Sequence, residues 1–132
     1  MNELKVAIVG GTGNLGSALA FRLGAPGVKI IIGSRDAEKA RNAVETLRPK
    51  LRAGEMFGTT NRDAVKDADF IVIAVPYEGH AQMVSDLKGQ LSGKILIDTV
   101  VPLNKVKPFV PAAGSALQEA QQILDGEAPV IG

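Results

Sequence analysis

An apolar run, Val6-Ala7-Ile8-Val9, breaks into a glycine cluster, Gly10-Gly11-Thr12-Gly13-Asn14-Leu15-Gly16, and an apolar-periodic segment carrying Leu15, Ala18, Leu19 and Leu23 follows at once. The succession reads as strand, tight turn and helix. Within it Gly11, Gly13 and Gly16 stand at G-x-G-x-x-G spacing, and each has its own physical duty. Gly11 permits the turn, Gly13 lets the backbone approach a pyrophosphate, and Gly16 lets the helix lie close to the strand. The unpaired amides of the helix's first turn then face the phosphates, so no charged side chain is needed to hold them. Glycines serving only as a tight connection are the competing explanation.

The rest of the chain repeats the alternation. Gly24-Ala25-Pro26-Gly27 ends the first helix, and residues 28–32 read as a buried second strand that closes on Gly33-Ser34-Arg35. Asp36 is placed to cap a helix with Lys39 in its first turn and Ala40, Ala43, Val44 and Leu47 on its apolar face; Pro49 stops it. Residues 54–59 form a third strand, and Asn61 opens a short helix carrying Ala64, Val65 and Ala68. Phe70-Ile71-Val72-Ile73-Ala74-Val75 has no polar residue, so it needs apolar layers on both faces, the mark of a parallel sheet flanked by helices. Beyond Pro76 come a helix over residues 78–87 and a strand over 94–98. Pro102, Pro108 and Pro111 then predict an irregular loop with one helical turn around residues 104–107. A helix over 115–124 and a short strand over 128–131 complete the pattern. The fold class is α/β, a three-layer doubly wound parallel sheet with expected strand order 3-2-1-4-5-6.

At 132 residues the chain amounts to one domain. A formal net charge of +1 offers no basic stripe for nucleic acid or an anionic membrane, and aromatics at 4% provide no stacking platform for single strands. No cysteine is present, which removes disulfides and thiolate metal sites, and one histidine leaves no metal-ligating arrangement. Without a signal or membrane-spanning segment, the cytoplasm is the expected location.

The tip of the second strand decides the cofactor. An acid there accepts bonds from the adenosine ribose and repels a 2′-phosphate; this chain instead places Ser34 and Arg35 there, with Lys39 one turn into the helix. A hydroxyl, a planar multi-donor fork and a point charge suit the phosphate, so NADP is expected over NAD. Arg41, two positions beyond Lys39, is expected to point elsewhere. The alternative is a solvated face that Arg35 and Lys39 form with Asp36 and Glu38. Over the same sheet edge, Val75 and Pro76 are candidates to pack on the nicotinamide riboside, and Tyr77 to line the redox site. His80 joins them as a candidate, against a plain structural role at a helix start. Asp98 is placed to cap the segment that follows it. No catalytic residue is assigned, because hydride transfer between two cofactors needs no general acid.

Taken together, Gly10-Gly11-Thr12-Gly13-Asn14-Leu15-Gly16, Gly33-Ser34-Arg35 with Lys39, and Val75-Pro76-Tyr77 with His80 resemble the amino-terminal domain of the NADPH-dependent reductases of the deazaflavin coenzyme F420. The resemblance implies that Thr12, Gly13, Asn14 and Leu15 wrap the pyrophosphate. It implies also that Ser34, Arg35 and Lys39 hold the 2′-phosphate, and that Val75 to Tyr77 with Val101 and Pro102 flank the nicotinamide. Hydride would pass directly to a deazaflavin or flavin-like acceptor. That family continues into a smaller carboxy-terminal part that helps form the acceptor pocket and the dimer. The 132-residue chain is therefore expected to bind NADP yet to reduce the acceptor weakly unless a partner subunit completes the pocket. A binding module or NADP sensor without turnover is the second reading.

Overall fold

The computed structural model describes residues 4–10, 12–75, 77–98, 103–104, 107–108, 116–124, 126–127 and 129–131. Apolar runs form strands β1 (Leu4–Val9) and β2 (Val28–Ser34), the more polar Glu55–Thr60 forms β3, and apolar runs again form β4 (Phe70–Ile73) and β5 (Ile95–Asp98). Two dipeptides follow, β6 (Leu103–Asn104) and β7 (Lys107–Pro108), and the chain's last strand is β8 (Val130–Ile131). Between them lie helices α1 (Asn14–Leu23), α2 (Ala37–Leu47), α3 (Asn61–Asp67), α4 (His80–Leu87) and α5 (Ala116–Leu124). The main sheet runs β3-β2-β1-β4-β5-β8, every pairing parallel, which is the expected doubly wound order.

Alternation along the strands builds the two cores. Val6, Ile8, Ile30, Ile32 and Val72 face a layer made with Ala20 of α1 and Ala40 and Val44 of α2. Ala7, Val9, Ile31, Ile71 and Ile73 face the other, against Ala64 and Val65 of α3, Val84 and Leu87 of α4, and Ala120 and Leu124 of α5. The all-apolar fourth strand is thus divided between both layers, as a buried parallel strand must be. Helices change faces between α2 and α3, so the crevice at the sheet's carboxyl edge opens between β1 and β4.

Local details depart from the sequence expectation in three places. On α1 the buried residues are small and one turn apart, Gly16 and Ala20, while Ala18 and Leu23 are exposed. Leu19 of the expected stripe also packs against the α2-side core, so it seats this helix together with the small residues. Thr60 caps α3 by accepting the Asp63 amide at 3.2 Å, so Asn61 is inside the helix and its side chain is free for another task. Lastly, residues at the two ends of the expected helical turn are paired as strands: Leu103 and Asn104 run antiparallel to Pro108 and Lys107. Proline is admissible there because each strand of a two-stranded ribbon has an unpaired side.

Gly58 shows how tightly the α2 layer sits. A Cβ there would stand 2.6 Å from the carbonyl carbon and oxygen of Ala40 and 2.7 Å from the Arg41 amide. Those are helix backbone atoms, which cannot rotate away. Gly58→Ala is expected to destabilise the fold by about 1–3 kcal/mol, the usual cost of overpacking, read as a fall in the urea midpoint. An unchanged midpoint would mean that α2 can lift off β3 freely.

Candidate functional site

Register aligns the strand ends. Thr59, Gly33, Val9, Ile73 and Asp98 form one row across β3, β2, β1, β4 and β5. The residues that follow them therefore share the carboxyl edge of the sheet, where open α/β sheets take their ligands. A cleft of about 1250 Å³ runs along that edge. It exceeds the roughly 300–1,000 Å³ of ordinary small-molecule pockets, and its length suits an extended ligand.

One wall is the glycine loop. Gly10 takes φ +71°, and a side chain there would collide with Val75 Cγ1 and stand 3.1 Å from the Ala74 carbonyl. The sharp turn is thus made at Gly10, while Gly11 lies outside the described residues. Gly13 behaves differently. Its backbone is extended (φ −80°, ψ 176°), a conformation open to any residue, and a Cβ would meet nothing within 4 Å. Neither turn geometry nor protein packing asks for glycine at this position. Gly13 lines the cleft and precedes α1, whose first turn holds no acidic residue and receives no side-chain cap from Gly13. The helix's positive end is thus left uncompensated at the cleft. Thr12 lines the same wall. Asn14 and Leu15 begin α1, but their side chains lie outside the described residues.

The second wall is the tip of β2. Ser34 is buried, and its Oγ accepts the Asp36 amide at 3.3 Å, which turns the chain toward α2. Asp36 spends its carboxylate on the cap, accepting the Glu38 amide at 2.9 Å. Arg35 and Lys39 are exposed, line the cleft, and make no ion pair or hydrogen bond with the described residues, Asp36 and Glu38 included. Arg41 does not line the cleft, as expected.

Two residues that no sequence signal singled out for the site belong here too. Asn61 reaches from α3 to accept the Gly10 amide at 3.2 Å, joining the third and first strand ends. Gly33 makes room for it, since a Cβ there would lie 2.7 Å from Asn61 Oδ1. Arg62, beside it, adds a third unpaired cation to the cleft. A shallower hollow of about 450 Å³ between α3 and the outer strands lies away from the glycine loop. Its Lys29 is already engaged with Asp67 at 3.2 Å and with the Phe57 ring at 5.0 Å.

The third wall carries Ala74, half-buried Val75, Gly79 and Met83. Pro76, the Tyr77 side chain, Val101 and Pro102 lie outside the described residues. His80 is not brought to the cleft. It is fully buried beneath the wall, with Nε2 2.6 Å from Oδ2 of Asp98, so the expectation that it faces the cofactor is corrected. Asp98 likewise turns inward to this partner. Among the described residues, no helix is long and apolar enough to cross a membrane, and no three His, Asp or Glu side chains gather as metal ligands.

This geometry has relatives. The sequence profile of the family described as NADP oxidoreductase, coenzyme F420-dependent, matches residues 5–102. The chain belongs to that family. It is 39% identical over 131 residues to the F420-dependent NADP reductase of Methanocaldococcus jannaschii, covering 92% of this chain and 58% of that protein. It is 33% identical over 132 residues to the enzyme of the same name from Methanothermobacter marburgensis, covering 94% and 59%. The chain thus spans somewhat under three fifths of the length of these two family members. Solved structures share the fold at low identity. A Plasmodium falciparum pyrroline carboxylate reductase with NADP bound superposes with a TM-score of 0.60 at 18% identity, covering 98% of this chain and 41% of that one. Malate dehydrogenase from the same organism gives 0.63 at 16% identity, covering 92% and 42%.

Proposed function

We propose that this chain binds NADP(H) along the carboxyl edge of its sheet and serves an oxidoreductase that exchanges hydride with the deazaflavin coenzyme F420. The observation that carries the reading is the convergence on one cleft of a glycine that the protein itself does not require, Gly13, and of unpaired Arg35 and Lys39. Glycine-loop amides and the α1 terminus suit the pyrophosphate, and the cations with Ser34 suit a 2′-phosphate. The Val75 wall is assigned to the nicotinamide riboside, together with Pro76, Tyr77, Val101 and Pro102 from the sequence. When bound, the nicotinamide supplies or accepts the hydride. The protein's share is to hold the reacting partners face to face and to exclude water, because no proton need be moved by a side chain.

Family membership and the activity of these relatives favour F420 as the acceptor over a sensor without turnover. Stopped-flow mixing with NADPH and oxidised F420 tests this directly through the loss of the deazaflavin's visible absorbance. Tight NADPH binding with no absorbance change, in the presence or absence of a carboxy-terminal extension taken from a family member, would favour the sensor.

A further inference from the structure

The His80–Asp98 pair is an expensive feature that the cofactor site, as assigned, does not use. Both side chains are removed from water, at 0% and 1% exposure, and they meet at 2.6 Å. Burying ionisable groups costs several kcal/mol each before pairing returns any of it, so such a pair is weak evidence of added stability. Its position is more informative. Asp98 is the last residue of β5 and pairs in register with Ile73 of β4. The chain leaves β4 at Ile73, passes the cleft through Ala74 and Val75, and returns at His80 directly onto the neighbouring strand's carboxylate. The bond closes this excursion like a clasp. Ala74 and Val75 lie at one end of this excursion and Gly79 at the other, and Val75, which packs at Gly10, is inside the clasp. Met83, one turn along α4, lines the same wall and follows wherever His80 is placed.

We propose that His80 and Asp98 are positioning residues for the nicotinamide half of the site, fixing the β4–α4 wall while leaving the adenosine half to β2 and the glycine loop. The inference rests on the cofactor reading above. Its test separates the two halves with 2′,5′-ADP, which carries the adenosine and its 2′-phosphate but no nicotinamide. His80→Leu is expected to weaken NADPH about tenfold, the scale of one lost hydrogen bond to a charged group, and to remove the change in nicotinamide emission on binding. Affinity for 2′,5′-ADP stays unchanged. His80→Gln, which keeps a donor near the Nε2 position, restores most of both NADPH signals. Parallel loss of both ligands, or no loss of either, overturns the proposal. Failure of the native chain to bind 2′,5′-ADP overturns the cofactor reading itself and this inference with it.

The native protein offers a second measurement that needs no variant. His80 is the sole histidine in the sequence, so its imidazole resonances are identified without assignment. They are expected to shift on adding NADP and to stay in place on adding 2′,5′-ADP. Equal shifts with the two ligands, or none with either, overturn the clasp.

Discussion

Gly13→Val is expected to leave the chain folded and to weaken NADP binding about a thousandfold, the combined effect of two or three lost backbone bonds to a charged phosphate. The two halves of that expectation come from separate observations. Retention of the fold follows from the extended backbone at Gly13 and from the empty space around a Cβ built there. Loss of binding follows from where that space is: it belongs to the cleft, in front of the amides that open α1. A branched side chain would occupy the ground on which pyrophosphate meets the backbone. Gly10 and Gly33 provide the contrast. Their missing side chains are required by Val75 and by Asn61, so substitution at either should lower stability before it affects binding. Calorimetric titration of a Gly13→Val protein whose circular dichroism and urea midpoint match the parent decides the matter. Unchanged affinity would reduce the glycine string to a tight connection.

The contrast also shows what the sequence could convey. Strand order and the need for two core layers were legible, because the apolar runs of β1, β2 and β4 and the crossover helices between strands are local signals, and chain chirality sets how they assemble. The place of Ser34 and Arg35 at the tip of β2 was legible for the same reason, since it follows from where one apolar run ends. Asn61 was not. Its bond to the Gly10 amide joins residues 51 apart, and it depends on the β2–β3 register and on the absent side chain of Gly33. Arg62 was missed as its neighbour, since a lone arginine in a short helix looks like any solvated charge. His80 was legible in part: of its two readings, cofactor candidate and helix-start histidine with a structural hydrogen bond, the structure has the second, but only the strand pairing of Ile73 with Asp98 shows which carboxylate waits beneath it. The β6–β7 ribbon was hidden by its prolines, which signal a break in sequence whether the chain then wanders or pairs at an edge.

The preference for NADP over NAD is the other large effect, and it should reside in two exposed side chains. The native chain is expected to bind NADP about a hundredfold more tightly than NAD, taking the low end of roughly 1.5–3 kcal/mol for each of two charge-assisted bonds because both cations are solvated. Arg35 and Lys39 line the cleft without partners, so neither must surrender an existing ion pair to reach a phosphate. Ser34 contributes differently. It is buried and already accepts the Asp36 amide, which leaves its hydroxyl proton to donate while fixing the turn that presents Arg35. Arg35→Ala with Lys39→Ala should therefore bring the two affinities within a few-fold of each other by lowering that for NADP alone. Arg62→Ala should erode the preference less, since its cation approaches from α3 and not from the strand tip. Arg41→Ala, off the cleft, is the control that keeps the parent's ratio. Added salt should shrink the native preference, because screening acts on exposed charges, and should leave the small residual ratio of the double variant nearly unmoved. Calorimetry with both cofactors at two salt concentrations reads all of this together. Equal affinities in the native chain, or a double variant that keeps the full preference, would mean that the cations at the β2 tip do not select the cofactor.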